Sequence, residues 1–214
     1  MKTIQKRAVG EIVVKKSRFI ATLQPVENKE EAESFIAEMK KKYWDARHNC
    51  SAYILPAVPG QTAVLHSSDD GEPSGTAGKP MLSVLEGRQL SGVAVVVTRY
   101  FGGVLLGTGG LVRAYQDAVT EGIGQAQLLE EKKMNRVRLE TDYTLWGKVQ
   151  SYAAAKESVI QEDVGYGEKV SACLLVEEGE TDRIIKEIVE LTGGKVHPEV
   201  GESITRRVPV IENS

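Results

Sequence analysis

The chain has 214 residues, 41% of them hydrophobic and 27% charged, which gives enough apolar material for a real core and room for one large or two small domains. Its longest nearly apolar run, Val93–Val97, falls far short of the ~20 residues that span a bilayer, and the polar start lacks the apolar stretch of a secretory signal, so a cytoplasmic protein without membrane association is expected. The net charge of −3 hides an asymmetry: residues 1–134 carry 17 Lys and Arg against 15 Asp and Glu, and residues 135–214 carry 10 against 15, so neither half is a general nucleic-acid coat and an RNA role would need a local basic patch.

In chain order, Gly10–Lys15 and Ser17–Leu23 are β-prone. Asn28 with Glu31 three residues on has capping-box spacing, and Ala32, Phe35, Ile36 and Met39 then line one face of a helix that Lys40–Lys42 closes. Cys50–Val58 and Gln61–Leu65 are read as strands joined at Pro59-Gly60. A polar stretch, Ser67–Gly78, precedes a short helix from Pro80 to about Leu90. The β-branched run Val93–Thr98 suits a strand covered on both faces. A glycine-rich loop, Phe101–Gly110, then leads into a helix starting near Gly109 or Gly110, with Leu111, Tyr115, Ala118 and Val119 on one side.

Glu130–Lys133 reads as a charged hinge, dividing the chain into domains 1–133 and 134–214. Beyond it, Val137–Thr141 is a strand, Leu145–Ala153 a helix, Val159–Val164 and Val170–Val176 a strand pair turned at Gly165–Gly167, and Ile184–Leu191 a helix stopped by Gly193-Gly194. Lys195–Val200 and Ile204–Ile211 close the sheet. This β-α-β-β-α-β order is the ferredoxin-like motif, and the unit holds no clustered catalytic side chains, so docking or stabilisation is its expected role.

Three segments can carry chemistry. In the first, Gly102, Gly103, Gly107, Gly109 and Gly110 sit between a buried strand and a helix, with Thr108 among them and Arg99 and Arg113 at either end. Glycine lets backbone N–H groups approach a ligand, a helix start attracts anions, and arginine grips phosphate bidentately. The same glycines equally serve tight turns and close helix packing. Neither a P-loop nor a dinucleotide fingerprint is present. Lys16, Arg18 and Lys79 are further candidates for a phosphate patch. In the second segment Asp69, Asp70 and Glu72 could hold a divalent cation, and Ser74 and Thr76 could meet phosphate; the spacing is not that of an EF-hand, and a solvated loop with local turns accounts for it as well. In the third, Asp45, His48 and Cys50 are the residue types of a thiol hydrolase. Their adjacency argues against a triad, since His48 and Cys50 on one strand face project in parallel. Cys50 and Cys173 suit a reducing compartment and cannot alone furnish a four-ligand structural metal site. No metal and no cofactor is expected.

The runs Lys16–Ile20, Asp45–Cys50, Asp69–Pro80 and Arg99–Tyr115 resemble the IMPACT family in its bacterial two-domain form. The resemblance implies a first domain with the fold of the second domain of ribosomal protein S5, similar to domain IV of elongation factor G. It implies a ferredoxin-like second domain similar to domain V of that factor. It implies no defined reaction. The expectation is therefore a translation-associated regulator that binds RNA or the ribosome through Arg99, Arg113, the glycine-rich loop and the Asp69–Lys79 loop. A metal- or phosphate-dependent enzyme on a small phosphorylated substrate, and a protein–protein regulator docking through the second domain, are the alternatives.

Overall fold

A computed structural model describes residues 1–56 and 63–210, and it places the β-branched run at the middle of a five-stranded sheet. The elements around it are β1 (Lys2–Ile4), β2 (Ala8–Val14), β3 (Ser17–Pro25), α1 (Lys29–Lys42), β4 (His48–Ile54), β5 (Leu65–Ser68), α2 (Gly78–Gly87), β6 (Val93–Tyr100) and α3 (Thr108–Gly124). The sheet order is β2-β3-β6-β4-β5, with every neighbouring pair antiparallel. Side chains alternate across β6, so its apolar run feeds two cores. Val93, Val95 and Val97 pack in the cluster containing Met81 and Leu85 of α2 and Ala114, Tyr115 and Ala118 of α3. Ala94 and Val96 pack with Ala32, Phe35 and Met39 of α1.

Local chemistry sets the helix limits. The Asn28 side chain accepts from the Glu31 N–H, and Glu31 reaches back to the Glu27 N–H, one residue before the usual capping-box partner. Helix α2 starts two residues before Pro80 because Asp69, distant in sequence, accepts the Ala77 and Gly78 N–H groups. Strand β5 extends to Ser68, paired with Ser51, where the sequence suggested the start of a loop. The expected turn at Pro59-Gly60 lies outside the described residues, as do the adjoining strand ends at Val58 and Gln61.

The second unit contains β7 (Leu128–Thr141), α4 (Tyr143–Ala154), β8 (Val159–Tyr166), β9 (Val170–Glu177), α5 (Thr181–Leu191) and β10 (Glu199–Pro209). Its strand order is β10-β7-β9-β8. Val137, Leu139, Leu174 and Val176 face Trp146 and Val149 of α4 and Ile184 and Ile188 of α5. The predicted hinge is instead strand. Residues 128–130 pair with β1, Glu131 accepts from Arg207, and Lys132 donates to Glu177. Opposite charges paired this way suit an exposed strand, so a charge run need not mark a linker. The division between the units falls within this strand, at Glu130/Glu131, and the chain from Pro209 groups with the first unit. The two expected closing strands are one, β10, with Lys195–Pro198 outside it and Ile211 beyond the described residues. The chain is thus a mixed α and β protein of two units.

Candidate functional site

The three chemically suggestive segments meet at one end of the first unit's sheet. The antiparallel register sets His48, the first residue of β4, opposite Arg99 near the end of β6, and the acidic loop and the start of α3 close over them. Between them lies a cleft of about 460 Å³, walled by Arg47 and His48, by Gly71–Pro73, by Arg99 and Phe101, and by Leu105–Thr108 with Leu111.

Arg99 and Glu72 form its floor. Their side chains are only 7% and 3% exposed, and Arg99 Nη1 donates to Glu72 Oε1 at 2.6 Å. The same oxygen accepts the Tyr115 hydroxyl at 2.8 Å. Arg99 also lies against two rings, 5.5 Å from the Phe19 centroid and 5.6 Å from that of Phe101. Its Nε–H is buried and has no acceptor. Nη2 has none among the described residues either, so the edge that arginine offers to a phosphate or carboxylate is unused.

Helix α3 supplies the second set of donors. Its N-cap is Gly107 at φ 72°, a left-handed conformation that glycine adopts without strain, and no side chain caps the helix. The first intrahelical cap bond runs from the Leu111 N–H to the Gly107 carbonyl. The N–H groups of Thr108, Gly109 and Gly110 are therefore left over, at the positive end of a 17-residue helix. Arg47 stands exposed at the rim without an ion pair among the described residues. With Glu72 cancelling one arginine, the cleft keeps one surplus cation and a helix N-terminus.

The neighbouring acids are spent on holding the loops. Asp69 accepts N–H bonds from Gly75, Ala77 and Gly78. Burial pushes its carboxyl upward and is the largest single influence, but these bonds and nearby Lys79 together hold it below the usual range. Asp70, at φ 42°, bonds Lys40 Nζ at 2.6 Å and the Asn49 N–H at 2.7 Å. Burial again opposes, and those two bonds with the Lys40 and His48 charges still hold its carboxyl low. The Asp70 carbonyl lies 2.9 Å from His48 Nδ1; a carbonyl only accepts, so Nδ1 carries a proton and donates it. Both oxygens of Asp69 and of Asp70 and one oxygen of Glu72 already accept hydrogen bonds, which argues against the cation-binding reading. Among the described residues no group of three or more His, Cys, Asp or Glu side chains could hold a metal.

Cys50 is no nucleophile. It is fully buried, its Sγ lies 2.9 Å from the Asp69 carbonyl and 3.3 Å from the Tyr115 hydroxyl, and burial above all pushes its thiol up to about 12. Burial thus disfavours the thiolate, the reactive form, at neutral pH.

Of the residues singled out in the sequence, His48, Glu72, Arg99, Gly107 and Thr108 line the cleft, and Gly109 and Gly110 lie in the adjoining helical turn. Gly102 serves packing: its N–H bonds Ser17 Oγ, and a Cβ there would fall 2.0 Å from the Lys16 carbonyl carbon. Gly103, at φ 83°, answers to backbone conformation, with open space beside it. Thr76 is turned back onto the Pro73 carbonyl. Arg18 is tied to Glu11 at 2.5 Å. Lys16, Lys79, Arg113 and Ser74 are exposed outside the cleft lining. Sequence reasoning passed over Arg47, Phe101 and Leu105. The register that brings β4 to β6 is long-range and has no local signal, although Arg47 lies inside a run that carried the family resemblance.

The chain matches the model of the Impact N-terminal domain over residues 15–123 and that of a domain of unknown function, DUF1949, over residues 139–195. It is 42% identical to the IMPACT family member YvyE of Bacillus subtilis over 94% of this chain and 90% of that protein. It is also 42% identical to the IMPACT family member YigZ of Escherichia coli, over 61% of this chain and 63% of that protein. A crystal structure of a hypothetical protein, 29% identical, superposes with a TM-score of 0.57, covering 94% of this chain and 97% of that one.

Proposed function

The chain belongs to the IMPACT family, and on that premise we propose that it is a translation-associated regulatory protein that binds RNA or the ribosome through its first unit. The observation that carries this reading is the cleft at the start of α3, where a buried arginine with an unused edge and uncapped helix N–H groups converge. These groups suit a phosphate oxygen, and phosphate contacts give affinity without reading sequence. Exposed Lys16, Arg47 and Arg113 make no ion pair among the described residues and, with exposed Lys79, are the outer contacts for further phosphates on this reading.

Membership of the IMPACT family, which implies ribosomal-protein-like and elongation-factor-like domains, supports placing this activity on the ribosome. The β-α-β-β-α-β order and the β10-β7-β9-β8 sheet support reading the second unit as a ferredoxin-like domain. The antiparallel sheet flanked by helices is compatible with the S5-like reading of the first. The protein acts in the cytoplasm on this reading, and among the described residues no helix is long and apolar enough to cross a membrane. The test is fluorescence anisotropy with a labelled single-stranded RNA across a salt series. Binding should weaken with salt, and Arg47→Ala together with Arg113→Ala should flatten the log–log slope by ~0.7 per lost phosphate contact. An unchanged slope removes these arginines from the interface; no binding at any salt removes the RNA reading.

A further inference from the structure

The cleft's donors differ in direction and depth, and both differences bear on what kind of phosphate it takes. We propose that the site takes a phosphomonoester, the terminal phosphate of an RNA 5′ end or of a free mononucleotide, in preference to an internal phosphodiester; this deepens, and rests on, the anion-binding reading above. Arg99 Nε and Nη2 are both left without an acceptor, and together they form the edge by which an arginine holds two oxygens of one anion. The N–H groups of Thr108, Gly109 and Gly110 approach from α3 and call for a further oxygen. A phosphodiester has two non-bridging oxygens, whereas a monoester has three and a second charge near neutral pH.

Depth argues the same way. The Arg99 side chain is only 7% exposed at the floor of the cleft. An internal phosphate carries a nucleotide on each side, and both flanks would have to enter with it. A terminal phosphate carries one. The volume of about 460 Å³ lies within the ~300–1,000 Å³ common for small-ligand sites. The single group attached to a terminal phosphate has an apolar wall to rest on: Phe101 is 44% exposed and Leu105 82%, with Leu111 beneath. A ring that already lies against a guanidinium offers a flat face to a nucleobase.

The experiment compares one oligoribonucleotide with a 5′-phosphate and with a 5′-hydroxyl, with a nucleoside 5′-monophosphate and its nucleoside as competitors. Truncating Arg99 risks the fold, so the blocking variant is Gly109→Asp. A Cβ at Gly109 meets open space, and a carboxylate in the first turn suits the helix dipole and sets a negative charge beside the uncapped N–H groups, against an incoming anion. Gly109→Ala is its control. The 5′-phosphate should improve affinity by about tenfold, a factor equivalent to ~1.4 kcal/mol. The monophosphate should compete and the nucleoside should not. Gly109→Asp should abolish the preference with an unchanged or raised Tm, and Gly109→Ala should keep it. Equal affinity for the two RNA ends overturns the inference, and if that binding still weakens with salt the broader RNA reading stands. Binding of the monophosphate with no binding of either RNA upholds the pocket, identifies the free nucleotide as its source and removes the RNA reading. A 5′-phosphate preference intact in Gly109→Asp places the recognition elsewhere and also overturns the inference.

Discussion

Replacing Glu72 by Gln removes a charge and little else. The Gln oxygen can still accept from Arg99 and from the Tyr115 hydroxyl, which now reach Glu72 Oε1 at 2.6 and 2.8 Å. What is lost is the counter-charge of an arginine whose side chain is 7% exposed. Breaking a buried pair by neutralising one partner typically costs ~3–5 kcal/mol, because the other charge stays buried and uncompensated. In a unit of this size 1 kcal/mol moves the midpoint by ~3–5 °C, so Glu72→Gln should lower the Tm of the first unit by about 10–20 °C. Inorganic phosphate should then stabilise the variant more than the parent, since it supplies the missing anion. At about a hundredfold its dissociation constant a ligand adds ~2.7 kcal/mol. Urea and thermal unfolding followed by circular dichroism, with and without phosphate at constant ionic strength, measure both effects. A loss below ~1 kcal/mol, the size of an ordinary point substitution, refutes the reasoning. Equal phosphate stabilisation of parent and variant separates Arg99 from the anion site.

Three other predictions concern the frame around the cleft. Cys50 should resist alkylation at pH 8 in the folded chain, since its thiol is pushed up to about 12, and should react on denaturation, as mass spectrometry of iodoacetamide adducts will show; rapid native labelling contradicts the burial. Gly102→Ala should destabilise by several kcal/mol because its Cβ would collide with the Lys16 backbone, whereas Gly109→Ala, in open space within a helix, should stabilise by up to ~1 kcal/mol; denaturation midpoints that fail to separate the two contradict the packing. The carboxyls of Asp69 and Asp70 are depressed below their usual 3.8, so their contribution is full above that value and is lost as pH falls through the lower folded-state values. Asp69→Asn should therefore shrink the stability difference between pH 7 and pH 3 in urea titrations, and an unchanged difference assigns the acid sensitivity elsewhere.

What the sequence disclosed was set by range. Helix α1 could be read because its signals are local: a cap at Asn28, an apolar stripe and a cationic end. Strand β6 could be read because seven successive buried residues need cover on both faces. The start of α2 could not, since the acceptor for its first N–H groups is Asp69. The Glu130–Lys133 segment does hold the division between the units, but its strand conformation could not be read, because charge runs mark linkers and exposed strands alike and the partners that decide, β1, Arg207 and Glu177, lie far along the chain. At the site, the glycines and Arg99 stood out in the sequence, but their division of labour did not. Gly102 admits a neighbouring backbone while Gly107 begins a helix, and only the fold tells them apart. The pairing of Arg99 with Glu72 spans 27 positions and joins a strand end to the acidic loop, two segments that the sequence presented as separate candidates.

The central claim is that the α3 cleft attaches this protein to the translation machinery through phosphate. Co-sedimentation with ribosomes, comparing the unmodified chain with Gly109→Asp at two salt concentrations and with and without RNase, tests it most directly. The account predicts that the unmodified chain travels with ribosomes, that RNase and high salt release it, and that Gly109→Asp co-migrates less while keeping its circular dichroism spectrum and at least the parent Tm. An unmodified chain that never co-migrates, or a Gly109→Asp chain that co-migrates equally well, would contradict it.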